Sequence, residues 1–212
     1  VAKKNGKSPL VAAQALYHLV GDGEPAPEVY INACSREQAS IIYRSAASMV
    51  RQDAELFSLI DAVPSGKRLV LRDDDGFLVA NSFEAENKDG VEASFTIFDE
   101  LHRQPNSDLW DVFQYAGDSR SQPLLVSITT AGSDQTSVCY QQHCKALAVE
   151  SGSDLDLGFL GIVYGPRVKP GDPPPDVDDP RVWRTANPSM GITIDEGRFR
   201  TQLETAKQSP AS

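Results

Sequence analysis

The feature that most restricts the fold is a regular succession of short apolar runs and helix-period segments. Apolar runs of about four to eight residues between turn signals read as strands, and near-continuous ones as strands buried on both faces. Glu28 to Ala33 (EVYINA), Phe95 to Phe98, Pro123 to Thr130 (PLLVSITT) and Phe159 to Tyr164 (FLGIVY) are such runs. Pro9 to Val20 instead spaces Leu10, Ala13, Leu16, Tyr17 and Val20 as one helical face. Pro9 suits its first turn, and Gly21-Asp22-Gly23 ends it. Ser35, with Gln38 three residues on, is a capping-box pattern. It predicts a helix from Arg36 to about Leu59 with a break near Asp53. Ser107 to Tyr115 and Thr136 to Val149 are also helical. Arg68 to Arg72 and Phe77 to Asn81 flank Asp73-Asp74-Asp75-Gly76 as a β-hairpin. Strands separated by helices make an α/β fold with a largely parallel sheet.

A chain of 212 residues, 40% apolar and 24% charged, can build a core without disulfide or metal. That composition excludes disorder over most of its length. No apolar run approaches the ~20 residues of a membrane span. Val1-Ala2-Lys3-Lys4 carries no signal-peptide pattern. No membrane partner is expected. A net charge of −10 argues against coating nucleic acid with the whole surface, and leaves room for a local basic patch. Cys34, Cys139 and Cys144 lack paired spacing and read as reduced cytosolic thiols. Cys139, His143 and Cys144 read as an ordinary helix with a buried cysteine face rather than a metal site. Composition changes at Pro170. Pro170 to Pro180 holds five Pro and four Asp and is expected to be an extended, solvated loop. Its acids Asp172, Asp176, Asp178 and Asp179 read as solvating charges. A Trp183-centred segment, Asn187-Pro188 and a helix from Asp195 to about Lys207 follow, with Asp195 and Glu196 suited to the helix dipole. The expected division is a core over 1–165, a loop over 166–182 and a helical lid or linker over 183–212.

Three stretches carry candidate chemistry. Lys3-Lys4-Asn5-Gly6-Lys7-Ser8 ends in Gly-Lys-Ser, the tail of a phosphate-binding loop, in which lysine reaches the β/γ phosphates and the hydroxyl holds Mg²⁺. The first glycine of the full pattern falls on Val1, so the strict motif is not met. Gly66-Lys67, followed by Arg68, reads as a turn. Thr96-Ile97-Phe98-Asp99-Glu100 is an apolar strand ending in two acids. Such an aspartate can hold Mg²⁺ and such a glutamate can polarise an attacking water; solvated strand-end acids are the plain alternative. Ser127-Ile128-Thr129-Thr130-Ala131-Gly132 ends an apolar strand in hydroxyls that need partners, either phosphate and water or neighbouring backbone. At the carboxyl edge of a parallel sheet these stretches would meet where ligands bind.

The ordered set Lys-Asn-Gly-Lys-Ser, Ile-Phe-Asp-Glu-Leu-His, Gln-Pro-Leu-Leu followed by Ile-Thr-Thr-Ala-Gly, and Ala-Asn-Pro resembles the large terminase subunit of tailed bacteriophages and prophages. The resemblance covers nearly the whole chain and implies the N-terminal packaging ATPase, a P-loop NTPase core. It implies phosphate contacts from Lys3, Lys4, Asn5, Gly6, Lys7 and Ser8, metal contacts from Ser8 and Asp99, and Glu100 as catalytic base. Thr129 and Thr130 take the place of the motif coupling hydrolysis to domain movement, on an extra strand between the phosphate-loop and acid-bearing strands. His102 falls in the Asp-Glu-x-His wording. Where the family commonly has an arginine four residues before the motif lysine, this chain has Lys3, a point charge in place of a planar fork. Arg120 is a candidate for another role or a surface cation. The implied cofactors are ATP and Mg²⁺. The implied partners are double-stranded DNA, the terminase small subunit, the portal protein and further copies in a ring, in the cytoplasm of the bacterial host. The family's strand and adenine-contacting segment before the loop, and its nuclease, are not found in these 212 residues. The chain therefore reads as a fragment without nuclease activity. A helicase-like P-loop ATPase and a catalytically inactive prophage remnant are the alternatives.

Overall fold

The computed structural model describes residues 1–82, 90–168 and 171–208. In chain order it contains α1 (Lys7–Val20), β1 (Glu28–Ala33), α2 (Arg36–Gln52), α3 (Ala54–Leu59), β2 (Ile60–Val63), β3 (Arg68–Leu71), β4 (Phe77–Ser82) and β5 (Phe95–Asp99). There follow α4 (Asp108–Tyr115), β6 (Leu124–Ile128), α5 (Val138–Ser151), α6 (Pro180–Ala186) and α7 (Glu196–Gln208). The described residues form two units, one over Lys7–Gln142 and the other from Val1–Gly6 with the residues from His143 onward. Pro170, where the proline- and aspartate-rich run opens, and residues 209–212 lie outside the described residues.

The first unit is a six-stranded sheet in the order β2-β3-β4-β1-β5-β6. β4, β1, β5 and β6 are mutually parallel, whereas β3 runs antiparallel to both β2 and β4. The α/β expectation holds, with an antiparallel flank supplied by the expected hairpin. Alternation along the strands separates two cores. Val29 and Ile31 of β1 and Phe95 and Ile97 of β5 pack with Val11, Leu16 and Leu19 of α1 and Ile42, Ala46 and Val50 of α2. Phe98 of β5 packs on the other face with Leu109, Trp110 and Phe113 of α4. Burying a side chain such as Phe98 or Ile97, both 0% exposed, contributes about 1.5–3 kcal/mol.

Local chemistry explains the boundaries. The Ser35 hydroxyl accepts from the Gln38 N–H and starts α2. The chain breaks at Asp53, whose carboxylate accepts from Glu55 and Leu56 N–H to start α3. The expected break near Asp53 is therefore a capping event, with a strand rather than more helix following α3.

Three expectations are corrected. β6 (from PLLVSITT) is not buried on both faces: it pairs with β5 alone among the described residues, and Leu124 is 42% exposed. A continuous apolar run does not say whether a strand sits centrally or at an edge. FLGIVY forms no strand in the described structure; Leu160 and Ile162 are 84% and 64% exposed. Hydropathy cannot supply the neighbouring strand whose backbone must take up its hydrogen bonds. Arg120 is no surface cation. Its side chain is 9% exposed, lies 3.6 Å from Glu28, and donates to the Glu92 and Pro25 carbonyls at 2.7 and 2.8 Å.

In the second unit, a Cβ on Gly161 would come 2.3 Å from the Ala146 Cβ, so only glycine allows that approach to α5. Asp179 caps α6 by accepting from the Arg181 N–H, and Asp178 pairs with Lys207. These two acids of the expected solvating run therefore have structural partners. Trp183, 5% exposed, packs on Phe199 of α7 at 5.2 Å between ring centroids and donates its indole N–H to the Val177 carbonyl.

Because Arg120 joins the amino-terminal ends of the sheet, Arg120→Leu is expected to lower stability by about 1–3 kcal/mol in urea unfolding.

Candidate functional site

Every residue of β5 is buried, and the strand ends at Asp99. The period of two that points Phe95 and Ile97 toward α1 and α2 points Asp99 the same way. Asp99 is 2% exposed, and its Oδ2 accepts from Gln38 Nε2 at 2.9 Å. Burial pushes its carboxyl above the usual range. The Gln38 hydrogen bond opposes that shift, the neighbouring Glu100 charge adds to it, and the Lys7 ammonium on α1 draws it back. Gln38 was expected to complete a capping box. Its backbone N–H does bond Ser35, but its side chain serves Asp99.

Glu100 adopts φ +52°, a left-handed conformation unusual for a residue with a Cβ, and costly by about 1–3 kcal/mol unless its surroundings hold it. Its N–H donates to the Ile128 carbonyl at 2.8 Å, tying the ends of β5 and β6. The turn brings its carboxylate to 3.4 Å from Thr130 Oγ1 and 3.5 Å from His102 Nδ1. Thr129 Oγ1 donates to the Thr130 carbonyl at 2.9 Å and accepts from the His102 N–H at 3.2 Å. With that proton committed, the contact of 2.9 Å between His102 Nδ1 and Thr129 Oγ1 requires the hydrogen on Nδ1. Gly132 passes so close that a Cβ would lie 2.9 Å from the His102 Cβ. Behind Thr129 sits Cys139, its thiol pushed up by burial. Glu100, His102, Thr129 and Thr130 thus form one network. Partners for the threonines come from side chains as well as from backbone.

Lys7 and Ser8 open α1 in this same unit, while Lys3, Lys4, Asn5 and Gly6 belong to the second. Lys4 and Gly6 have φ +64° and +76°, and Asn5 lies between them. Asn5 Nδ2 is 3.1 and 3.2 Å from the Ala2 and Lys3 carbonyls and 3.0 Å from Asn187 Oδ1, and its Oδ1 accepts from the Ser189 N–H at 3.0 Å. Sequence reasoning missed Gln38 as the partner of Asp99, and Asn187 and Ser189 as the partners of Asn5. Asn187 stood out only in the Asn187-Pro188 pair and the Ala-Asn-Pro wording.

A buried carboxylate with a raised pKa favours the protonated folded state. Stability then falls as pH rises from the unfolded value near ~4 through the raised folded value. Asp99→Asn removes that loss. In protein free of metal and nucleotide it is expected to melt a few degrees higher at pH 7, with the gain shrinking as pH falls toward ~4. Equal melting profiles across pH would contradict a strained Asp99.

The family described as terminase large subunit, ATPase domain, matches residues 1–146. The large terminase subunit of Enterobacteria phage HK97 is 30% identical over 225 aligned residues, covering 100% of this chain and 40% of that protein. The Escherichia coli protein YmfN is 30% identical over 121 residues, covering 57% of this chain and 26% of that protein. The chain thus spans less than half of either relative. The crystal structure of the HK97 large terminase superposes with a TM-score of 0.83 at 28% identity, over 99% of this chain and 42% of that one. The ATPase domain of the Thermus phage P74-26 large terminase shares the fold, with a TM-score of 0.51 at 21% identity over 60% of this chain and 56% of that one. The chain belongs to the terminase large subunit ATPase-domain family.

Proposed function

We propose that this chain binds ATP and hydrolyses it to drive the packaging of double-stranded DNA into a procapsid. The observation that carries the reading is the pair Asp99–Glu100 at the end of a fully buried parallel strand, with the Lys7 ammonium acting on Asp99 from the first turn of α1. Ligands bind at the carboxyl ends of strands in such sheets. Lys3, Lys4, Asn5 and Gly6 are assigned to the phosphates together with Lys7 and Ser8, into which they run directly in sequence.

The donors suit Mg²⁺. Ser8 offers a hydroxyl and Asp99 a carboxylate, both hard oxygens. Mg²⁺ is usually held by one or two protein groups with substrate phosphates and water. Among the described residues no group of three or more His, Cys, Asp or Glu forms an all-protein cage. When bound, Mg²⁺ neutralises charge on the phosphate oxygens. Lys7 adds positive charge there. Glu100 orients the attacking water and takes its proton, and its carboxylate is positioned by Thr130 and His102. Through the same contacts, a change at Glu100 is felt at Thr129 and Thr130, which supports their assignment to coupling. The segment 183–212 is assigned to the lid that moves during translocation.

No described helix is long and apolar enough to cross a membrane. The terminase small subunit, a portal protein and a homo-oligomeric ring in the bacterial cytoplasm are the proposed partners and setting, resting on family membership. That membership supports packaging over the helicase reading. The presence together of Lys7, Ser8, Asp99 and Glu100 supports an active site over a remnant.

Lys7→Ala is expected to abolish ATP binding in calorimetric titration; unchanged affinity would remove the phosphate assignment. Glu100→Gln should keep MgATP bound and lose turnover by ~100-fold or more, since an amide is no base. Thr130→Val should lower DNA-stimulated turnover more than ATP affinity. A change confined to melting temperature would make Thr130 structural.

A further inference from the structure

The loop that precedes Lys7 is held by side-chain chemistry from the far end of the chain. Asn5 and Asn187 are 182 positions apart, and Asn5 Nδ2 donates to Asn187 Oδ1 at 3.0 Å. Asn187 is 4% exposed, and its own Nδ2 donates to the Trp183 carbonyl at 2.9 Å. That bond fixes which way the Asn187 amide points, so its oxygen is the atom presented to Asn5. The Asn5 amide is fixed as well, because its oxygen accepts from the Ser189 N–H at 3.0 Å. Two flanking bonds join the same segments: the Ala2 N–H donates to the Ala186 carbonyl at 3.4 Å, and Thr193 Oγ1 donates to the Lys4 carbonyl at 3.3 Å. Asn5 stands between two residues of positive φ, one of them a lysine for which that conformation is disfavoured without support.

We propose that Asn187 is a positioning residue for the phosphate loop, acting through Asn5. Nucleotide affinity then depends on the 186–193 segment, and that segment in turn responds to bound nucleotide. The proposal rests on the assignment of residues 3–8 to phosphate. The physical reason is preorganisation. A loop that meets phosphate with backbone N–H groups binds well only if those groups already point outward, and Asn5 is the side chain that closes the loop on itself. Asn187 and Ser189 hold both ends of the Asn5 amide, so releasing them frees the loop to leave its strained conformation. Linkage then requires the reverse effect, because whatever the loop gains from a held Asn5 the 186–193 segment gains from an occupied loop.

The test uses ADP titrated calorimetrically into the purified protein and into Asn5→Ala, Asn187→Ala and the double variant. Asn187→Ala is expected to weaken ADP by about tenfold and Asn5→Ala by at least as much, since it also loses the Ser189, Ala2 and Lys3 bonds, with the double variant no weaker than Asn5→Ala because Asn187 acts only through Asn5. Unchanged affinity in Asn187→Ala overturns the proposal. So does an equal further loss on adding Asn187→Ala to Asn5→Ala, which would mean that Asn187 acts by general loosening. Lys7→Ala is the control for the underlying assignment. If it too leaves ADP binding intact, the phosphate reading fails; if it abolishes binding while Asn187→Ala does not, only the present proposal fails. Hydrogen exchange on the unsubstituted protein gives an independent reading should Asn187→Ala fold poorly. ADP is expected to slow exchange of the Ser189 N–H, and an unchanged rate overturns the proposal.

Discussion

A carboxylate placed at the end of a fully buried strand is the constraint around which the rest is arranged. Water cannot solvate Asp99, so the protein supplies a substitute: the Gln38 amide from α2 and the Lys7 ammonium from α1. Neither helix could approach so closely without the apolar face of β1 and β5, on which both are packed. The core that makes the sheet stable is therefore also what makes Asp99 costly. A positively charged ligand would offset that cost, whereas a neutral substitution would simply remove it.

The other face of β5 is organised differently. Glu100 leaves the strand in a left-handed turn, and its position is maintained by an N–H bond to the end of β6 and by contacts to Thr130 and His102. The last residue of β5 and the one after it thus look to separate sets of partners, Asp99 to the helices and Glu100 to the loop after β6. The different partners of these two neighbouring carboxylates come from strand alternation plus one positive φ at Glu100. The close passage of Gly132 over His102 keeps the imidazole against Thr129.

Much of the candidate site was legible because its residues occupy positions that local rules single out. Gly6-Lys7-Ser8 precedes a helix with apolar residues at helical spacing, Asp99-Glu100 closes an apolar run, and Thr129-Thr130 closes another. Helix boundaries at Ser35 and Asp53 followed from capping chemistry, which acts over three residues and so is written in adjacent letters. Gln38 was read through the same local rule and came out half right. Its backbone obeyed the capping pattern, while its side chain went to a strand that is remote in sequence.

The chain's own letters determined the alternation of helices and strands, the helix starts and the acidic end of β5, since each depends on neighbours within a turn or two. Among the described residues, tertiary structure decided which strand lies at the end of the sheet, which apolar run pairs, and which amide meets which carboxylate. PLLVSITT and FLGIVY are both apolar runs, yet one pairs with β5 and the other forms no described strand, because pairing requires a second backbone at hydrogen-bonding distance. Arg120 looked like a surface cation until the Glu92 and Pro25 carbonyls were placed beside it. Asn5 and Asn187 are both ordinary amides in sequence; only folding sets them 3.0 Å apart, and a contact between such distant positions leaves no local periodicity to read.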